Sequence, residues 1–175
     1  MQLTSTALFA KSNLDLSNKL QQTILLDNEI NGFAAEYDQL GISISVDGNL
    51  AAVGATEAKT HGVVYLFEYD GTGWHNIGYV EPSDGFYDDK FGQSVSLKGN
   101  TLVVGSYHNN YLQQNGAVYV FEWMNNQWNQ IQKITTNHPN ISTRYESHFG
   151  YTVNLYQDWI FVAATNDRTD YQHRP

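Results

Sequence analysis

The sequence has no cysteine. That absence removes disulfides, thiolate metal sites and cysteine nucleophiles together, although it fixes no compartment. Basic residues are few: 9 Lys and Arg stand against 18 Asp and Glu, for a net charge of −9. Such a field repels phosphate backbones and anionic headgroups, so nucleic acid is not expected as a partner and neither is an anionic membrane surface. The acidic residues are dispersed, which is the pattern of a solvated surface rather than an acidic tail. No apolar run approaches the roughly 18 residues of a membrane helix, so no membrane insertion is expected. The segment Met1 to Asn13 lacks both a basic n-region and a long apolar h-region, and is no signal peptide as it stands. No helical periodicity of useful length occurs, and Leu14 to Asp27 reads better as a strand. Proline occurs only three times.

What the chain does have is tyrosine, 12 of them in 175 residues, and an aromatic content of 14%. Both favour a folded, strand-rich protein. The strands repeat. Lys90-Phe91-Gly92-Gln93-Ser94-Val95-Ser96-Leu97 aligns with His148-Phe149-Gly150-Tyr151-Thr152-Val153-Asn154-Leu155, and Gln39-Leu40-Gly41-Ile42-Ser43-Ile44-Ser45-Val46 is an earlier copy. After the glycine each alternates apolar and polar residues, the period of a strand with one buried face. A tight turn follows in each: Asp47-Gly48-Asn49, Lys98-Gly99-Asn100 and Tyr156-Gln157-Asp158. Then comes a continuous apolar run at Leu50–Gly54, Leu102–Gly105 and Trp159–Ala164, which predicts a strand packed on both faces. A third strand is predicted at Val63–Glu68 and Ala117–Glu122, and a fourth at Trp74–Val80 and Trp128–Ile134.

The unit is therefore four short antiparallel strands, recurring from Gly41 to Gly92 and from Gly92 to Gly150. That period predicts an all-β fold made of β-propeller blades, about three of them. Thr6–Lys11 resembles a third strand and residues 19–26 a fourth, while the third copy reaches Pro175 in the loop where its own third strand is due. Three blades are too few to close a ring, since propellers have about 4–8. The expectation is a partial propeller, or a ring completed by missing sequence or by another chain in a head-to-tail homodimer.

At this point the residues resemble a known family. Phe91-Gly92, Val103-Val104-Gly105-Ser106 and Gly116-Ala117-Val118-Tyr119-Val120-Phe121 look like the FG-GAP repeat of integrin α-like propellers and their bacterial relatives. Leu40-Gly41, Ala52-Val53-Gly54-Ala55 and Gly62–Phe67 form another copy, and Phe149-Gly150 with Val162-Ala163-Ala164 a further one. In these terms residues 1–175 are one propeller region with approximate repeats 6–68, 74–122 and 128–175. The resemblance implies a binding or adhesion role in an extracellular or cell-surface setting. It does not carry the calcium of the integrin-like subset. Calcium takes about 6–8 oxygen ligands, and turns such as Lys98-Gly99-Asn100 cannot wrap an ion. The repeats look closer to the short-turn bacterial type.

No catalytic constellation stands out. There is no Gly-x-Ser-x-Gly elbow and no phosphate-cradling loop, and the six histidines show no zinc-ligand spacing. The expectation is a protein that is not an enzyme and uses no cofactor or metal. Function is expected in loops. The segment Tyr107, His108, Asn109, Asn110, Tyr111 is rich in aromatic and amide groups, which suits a protein or carbohydrate ligand. Tyr87, Asp88 and Tyr145 sit just before the Phe-Gly pairs and join the candidates. Because acidic residues recur there in several copies, a structural role is the plainer reading of them: a carboxylate accepting from nearby backbone amides. The leading expectation is a non-enzymatic binding module, with a lectin-like propeller and a structural scaffold as alternatives.

Overall fold

The computed structural model describes residues 6–9, 22–25, 37–108, 115–136 and 147–165. They form an all-β arrangement of antiparallel sheets that is part of a propeller and does not close into a ring. One four-stranded sheet holds β3 (Leu40–Asp47), β4 (Leu50–Ala55), β5 (Val63–Tyr69) and β6 (Trp74–Val80) in chain order. The next holds β7 (Phe91–Lys98), β8 (Thr101–Ser106), β9 (Ala117–Met124) and β10 (Gln127–Thr135). A third blade opens with β11 (Phe149–Tyr156) and β12 (Trp159–Ala164), and β1 (Thr6–Phe9) pairs with β2 (Gln22–Leu25) at the other end.

The turns follow from local chemistry. Asp47 pairs with Leu50 and Lys98 with Thr101, so each first hairpin has two loop residues. Gly48 and Gly99 take positive φ there (+62° and +53°), and Gln157 does so in the third hairpin at +52°. The β9–β10 hairpin turns on Asn125 and Asn126, both at positive φ, the mirror-image turn that asparagine tolerates. Between β5 and β6, Asp70 Oδ1 accepts from the backbone N–H groups of Thr72 and Gly73 and from the Thr72 hydroxyl. These bonds hold the Asp70 carboxyl well below the ordinary carboxylate range.

The repeated Phe-Gly (or Leu-Gly) pair opens each blade with one device. The N–H of Ile42, Gln93 and Tyr151 donates back to the carbonyl of Gln39, Lys90 and His148, closing a four-residue turn. Glycine occupies its third position at φ +94°, +90° and +89°, a conformation any side chain would strain. The turn offsets the first strand from the second: Phe91 faces Ser106, but the next partners are Ser94 and Gly105. It also delivers a backbone carbonyl to the preceding blade. A Cβ on Gly54 would lie 2.0 Å from Gly92 O, and one on Gly105 1.9 Å from Gly150 O. Glycine is thus needed at both ends of the contact, because main chain meets main chain.

Side chains lock the same junction twice. Ser43 Oγ donates to Gly92 O and Ser94 Oγ to Gly150 O, at 2.7 and 3.1 Å. Two residues on, Ser45 Oγ accepts from Leu97 N–H and Ser96 Oγ from Leu155 N–H, both at 2.9 Å. Apolar layers fill the remainder. Ala52, Val64 and Leu66 of one blade meet Phe91, Val95 and Leu97 of the next. Val103, Val118 and Val120 then meet Val153, Phe149 and Leu155. Phe91 is fully buried, edge-on to Tyr119 and Phe121; burying such a ring contributes about 3 kcal/mol. Trp74 and Trp128 pack partly buried against these layers, as matched positions in a repeat suggest.

One expectation fails. The apolar run of β12 predicts burial on both faces, as in β4 and β8. Instead Trp159, Phe161 and Ala163 are exposed while Ile160, Val162 and Ala164 are half-buried. The cause is positional: β12 has the second blade behind it and no sheet in front of it among the described residues.

Candidate functional site

The connections between blades and those between second and third strands emerge at one end of the sheets, opposite the tight hairpins. There segments 55–62, 81–90 and 107–108 meet His148 and Tyr151. The backbone ties them together: Asp88 N–H donates to Thr60 O at 2.8 Å and Phe91 N–H to His61 O at 2.9 Å.

Segment 81–90 is held on both sides. On the second blade, Ser83 N–H donates to Gln130 Oε1 at 2.9 Å, and Gln130 Nε2 returns a bond to Ser83 Oγ at 3.0 Å. Tyr119 donates its hydroxyl to Asp84 Oδ1 at 2.9 Å, and Lys133 Nζ pairs with Asp84 Oδ2. Burial pushes the Asp84 carboxyl up, but the bonds from Lys133 and Tyr119 outweigh it and the carboxyl lies below its ordinary value. Asp89 is fully buried, and its Oδ2 accepts from Phe86 N–H at 2.8 Å. The recurrent carboxylate there serves the loop itself, as the structural reading of it expects. Its counterpart Asp38 is also buried, and so is Ser147.

Asp88 does something else. Its backbone is at φ +68°, and its side chain joins a charged relay. Lys90 Nζ pairs with Asp88 Oδ1 at 2.6 Å and also with Glu57 Oε1. His108 Nδ1 lies 3.5 Å from Asp88 Oδ2, at the outer limit of a hydrogen bond. Partial burial raises the Asp88 carboxyl, yet Lys90 and His108 more than offset it and hold it below the ordinary range. Burial likewise disfavours the Lys90 ammonium, but Asp88 and Glu57 win and its pKa is raised. The Asp88–Lys90 pair is therefore ionised at neutral pH.

Beside it stands an aromatic cluster. The Tyr107 ring is edge-on to His148 at 5.3 Å and to Tyr151 at 5.4 Å. His108 lies 6.0 Å from His148, and His148 stacks on Tyr151 at 6.4 Å. Burial pushes the Tyr107 phenol up, Lys90 opposing it and the Asp88 charge adding to it, so Tyr107 stays a neutral hydroxyl. Tyr151 is 40% exposed, and nearby Phe86 and Tyr87 are 57% and 65% exposed.

Of the sequence candidates, Tyr107, His108 and Asp88 come together. Tyr87 belongs to the same loop but projects outward. Asn109, Asn110, Tyr111 and Tyr145 lie outside the described residues. Sequence reasoning missed Glu57, Lys90, His148 and Tyr151. Lys90 and His148 hold the position before the Phe-Gly pair at φ +57° and +53°. A site made where two blades meet draws on those positions, and that was the available signal. Among the described residues no group of three His, Asp or Glu side chains converges as metal ligands would.

The FG-GAP repeat family matches residues 74–121. This stretch is similar to an FG-GAP repeat. It spans the last strand of the first sheet and most of the second, including Phe91-Gly92 and Gly105. The FG-GAP geometry then recurs at Leu40-Gly41 and Phe149-Gly150, with the same turn and positive-φ glycine. No curated protein matches the chain.

Proposed function

We propose that this propeller segment is a non-enzymatic binding or adhesion module, working in an extracellular or cell-surface setting. Its ligand is a protein or glycan met at the loop-rich end. The observation that supports this most is the convergence of Tyr107, His108, His148 and Tyr151 beside the Glu57–Lys90–Asp88 relay, next to a segment 81–90 that is held on both sides. An aromatic surface with the ionised Asp88–Lys90 pair at its edge suits a polar partner, and side chains already packed on one another lose little conformational freedom on binding. The FG-GAP match is in keeping with such a role without specifying a ligand.

The lectin-like form of this reading rests on the exposed rings of Tyr87 and Tyr151, which offer flat faces to a sugar. A glycan array probed with the labelled chain tests it. Binding that falls at least about tenfold for Tyr87→Ala and Tyr151→Ala, with unchanged melting, supports the lectin form. A silent array sinks that form and leaves a protein ligand, to be sought by crosslinking on cell surfaces.

A further inference from the structure

Two surfaces of this chain carry the halves of a junction that it otherwise makes only internally. The first is the side of β3 turned away from β7. Ile42, Ile44 and Val46 are 48%, 43% and 50% exposed there. At the aligned positions Val95 and Leu97 are 9% and 4% exposed, and Val153 is 5% exposed. The second surface is the free side of β11 and β12. Phe161 is 56% exposed, whereas Ala52 and Val103, at the same place in the earlier blades, are fully buried.

The polar groups match as well. Each internal junction needs a hydroxyl that donates to the carbonyl of the Phe-Gly glycine, and two residues later an acceptor for a strand N–H. Ser43 with Ser45, and Ser94 with Ser96, provide them. In β11 those positions are Thr152, with a hydroxyl, and Asn154, with an amide oxygen; both are exposed. Strand edges agree too. β4 and β8 pair along their outer edges with β5 and β9, whereas β12 pairs only with β11, and β1 only with β2, among the described residues. β1 lies beside β3 as β5 lies beside β7.

We propose that a second copy of this chain docks head to tail. The Thr152, Asn154 and Phe161 face of one copy lies on Ile42, Ile44 and Val46 of the next. The β12 edge of the first pairs with the β1 edge of the second, giving a four-stranded blade built from both. Thr152 Oγ1 then donates to Gly41 O, and Val46 N–H donates to Asn154 Oδ1. Burying the apolar row drives the contact, and pairing the β12 and β1 edges, each without a second strand among the described residues, adds to it. One feature weakens it relative to the internal junctions. Ala163 stands where Gly54 and Gly105 stand, and a Cβ at those places would lie 2.0 and 1.9 Å from the incoming carbonyl, so the backbones must stand farther apart at the new junction than at the internal ones. A head-to-tail contact of this kind is heterologous and closes into a ring only if its rotation allows.

Sedimentation of the full chain over a wide concentration range tests the proposal. The expected result is a concentration-dependent rise above the 19.8 kDa monomer. Ile44→Lys should weaken association about tenfold or more, because a lysine would be buried without a partner. Ala163→Gly should strengthen it several-fold. The chain has no cysteine, so orientation can be read directly. A mixture of Ile44→Cys and Phe161→Cys chains should form a mixed disulfide that neither variant forms alone. Monomer at every concentration overturns the proposal. So does association that Ile44→Lys and Ala163→Gly leave unchanged, or a disulfide that Ile44→Cys forms with itself. Circular dichroism of each variant separates loss of docking from loss of fold.

Discussion

The first strands of the two complete blades have the same pattern and different surroundings. β3 and β7 both open on a Gly-φ turn, both alternate apolar residues with serines, and both send those serines into the next blade. Yet the apolar row of β7 is buried while that of β3 is about half exposed. Alternation specifies which face is to be covered, and the neighbour decides whether it is. The serines make the complementary point. They are polar residues on a face that another blade covers, tolerated because each finds a backbone partner across the junction.

The most direct way to break this comparison is one substitution at two aligned sites. Val95→Asp places a charge against Val64, Leu66 and Tyr119 with nothing to pair it. It should cost about 4 kcal/mol or prevent folding. Ile44→Asp should change stability by less than about 0.5 kcal/mol, as surface substitutions do. Urea titrations of the two variants, done at a concentration where the chain is monomeric, read the difference. Equal costs would mean that the β3 face is already covered.

A smaller effect tests whether the junction is a main-chain contact. Gly116 is at φ +78°, and a Cβ there would lie 1.9 Å from Phe149 O. Gly116→Ala combines backbone strain with overpacking and should cost about 2–4 kcal/mol. Gly71 is also at positive φ, but nothing lies within 4 Å of its would-be Cβ. Gly71→Ala should carry only the strain, about 1 kcal/mol. Thermal melts of the pair separate crowding from conformation. A Gly116→Ala penalty no larger than that of Gly71→Ala would remove the close approach from the account.

These sites also show how much was legible beforehand. The strands, the hairpins and the blade period could be read because period-2 alternation and turn chemistry are local properties. Gly54 and Gly105 could be seen to recur, but not why, since the atom that needs their space belongs to the following blade. β12 was misread for the same kind of reason: an apolar run says nothing about whether both neighbours exist. At the loop end, Tyr107 and His108 were found from composition, and Asp88 from its place before Phe91-Gly92. Glu57 and Tyr151 were not, because they join the site from separate blades at distances along the chain that no motif spans, and Lys90 and His148, though at a repeated position, gain a role only where two blades meet.

The smallest expected effect concerns a tie that the first of the two described junctions has and the second lacks. Asp47 Oδ2 accepts from Gly99 N–H at 2.7 Å, and Oδ1 pairs with Lys98 Nζ at 3.2 Å. The aligned position in the second blade is Lys98 itself, so no carboxylate reaches the third blade from there. The bond from Gly99, followed by that from Lys98, lowers the Asp47 pKa below its ordinary 3.8. A depressed carboxylate stabilises the fold above its unfolded pKa, and the contribution is lost as pH falls through the folded value. Its window is therefore below about pH 4. Asp70 and Asp84 titrate low as well, so the wild-type acid limb sums several groups. The contribution of Asp47 is the difference between the wild type and Asp47→Asn, measured as urea midpoints from pH 6 down to pH 2.5. Asp47→Asn should be less stable at pH 6, and the gap should close toward the acid end, where the wild-type carboxyl is protonated as well. The side chain is solvent-facing, so added salt should shrink the gap at pH 6. A gap that stays constant with pH would assign the loss to packing in the hairpin rather than to the charge that bridges the two blades.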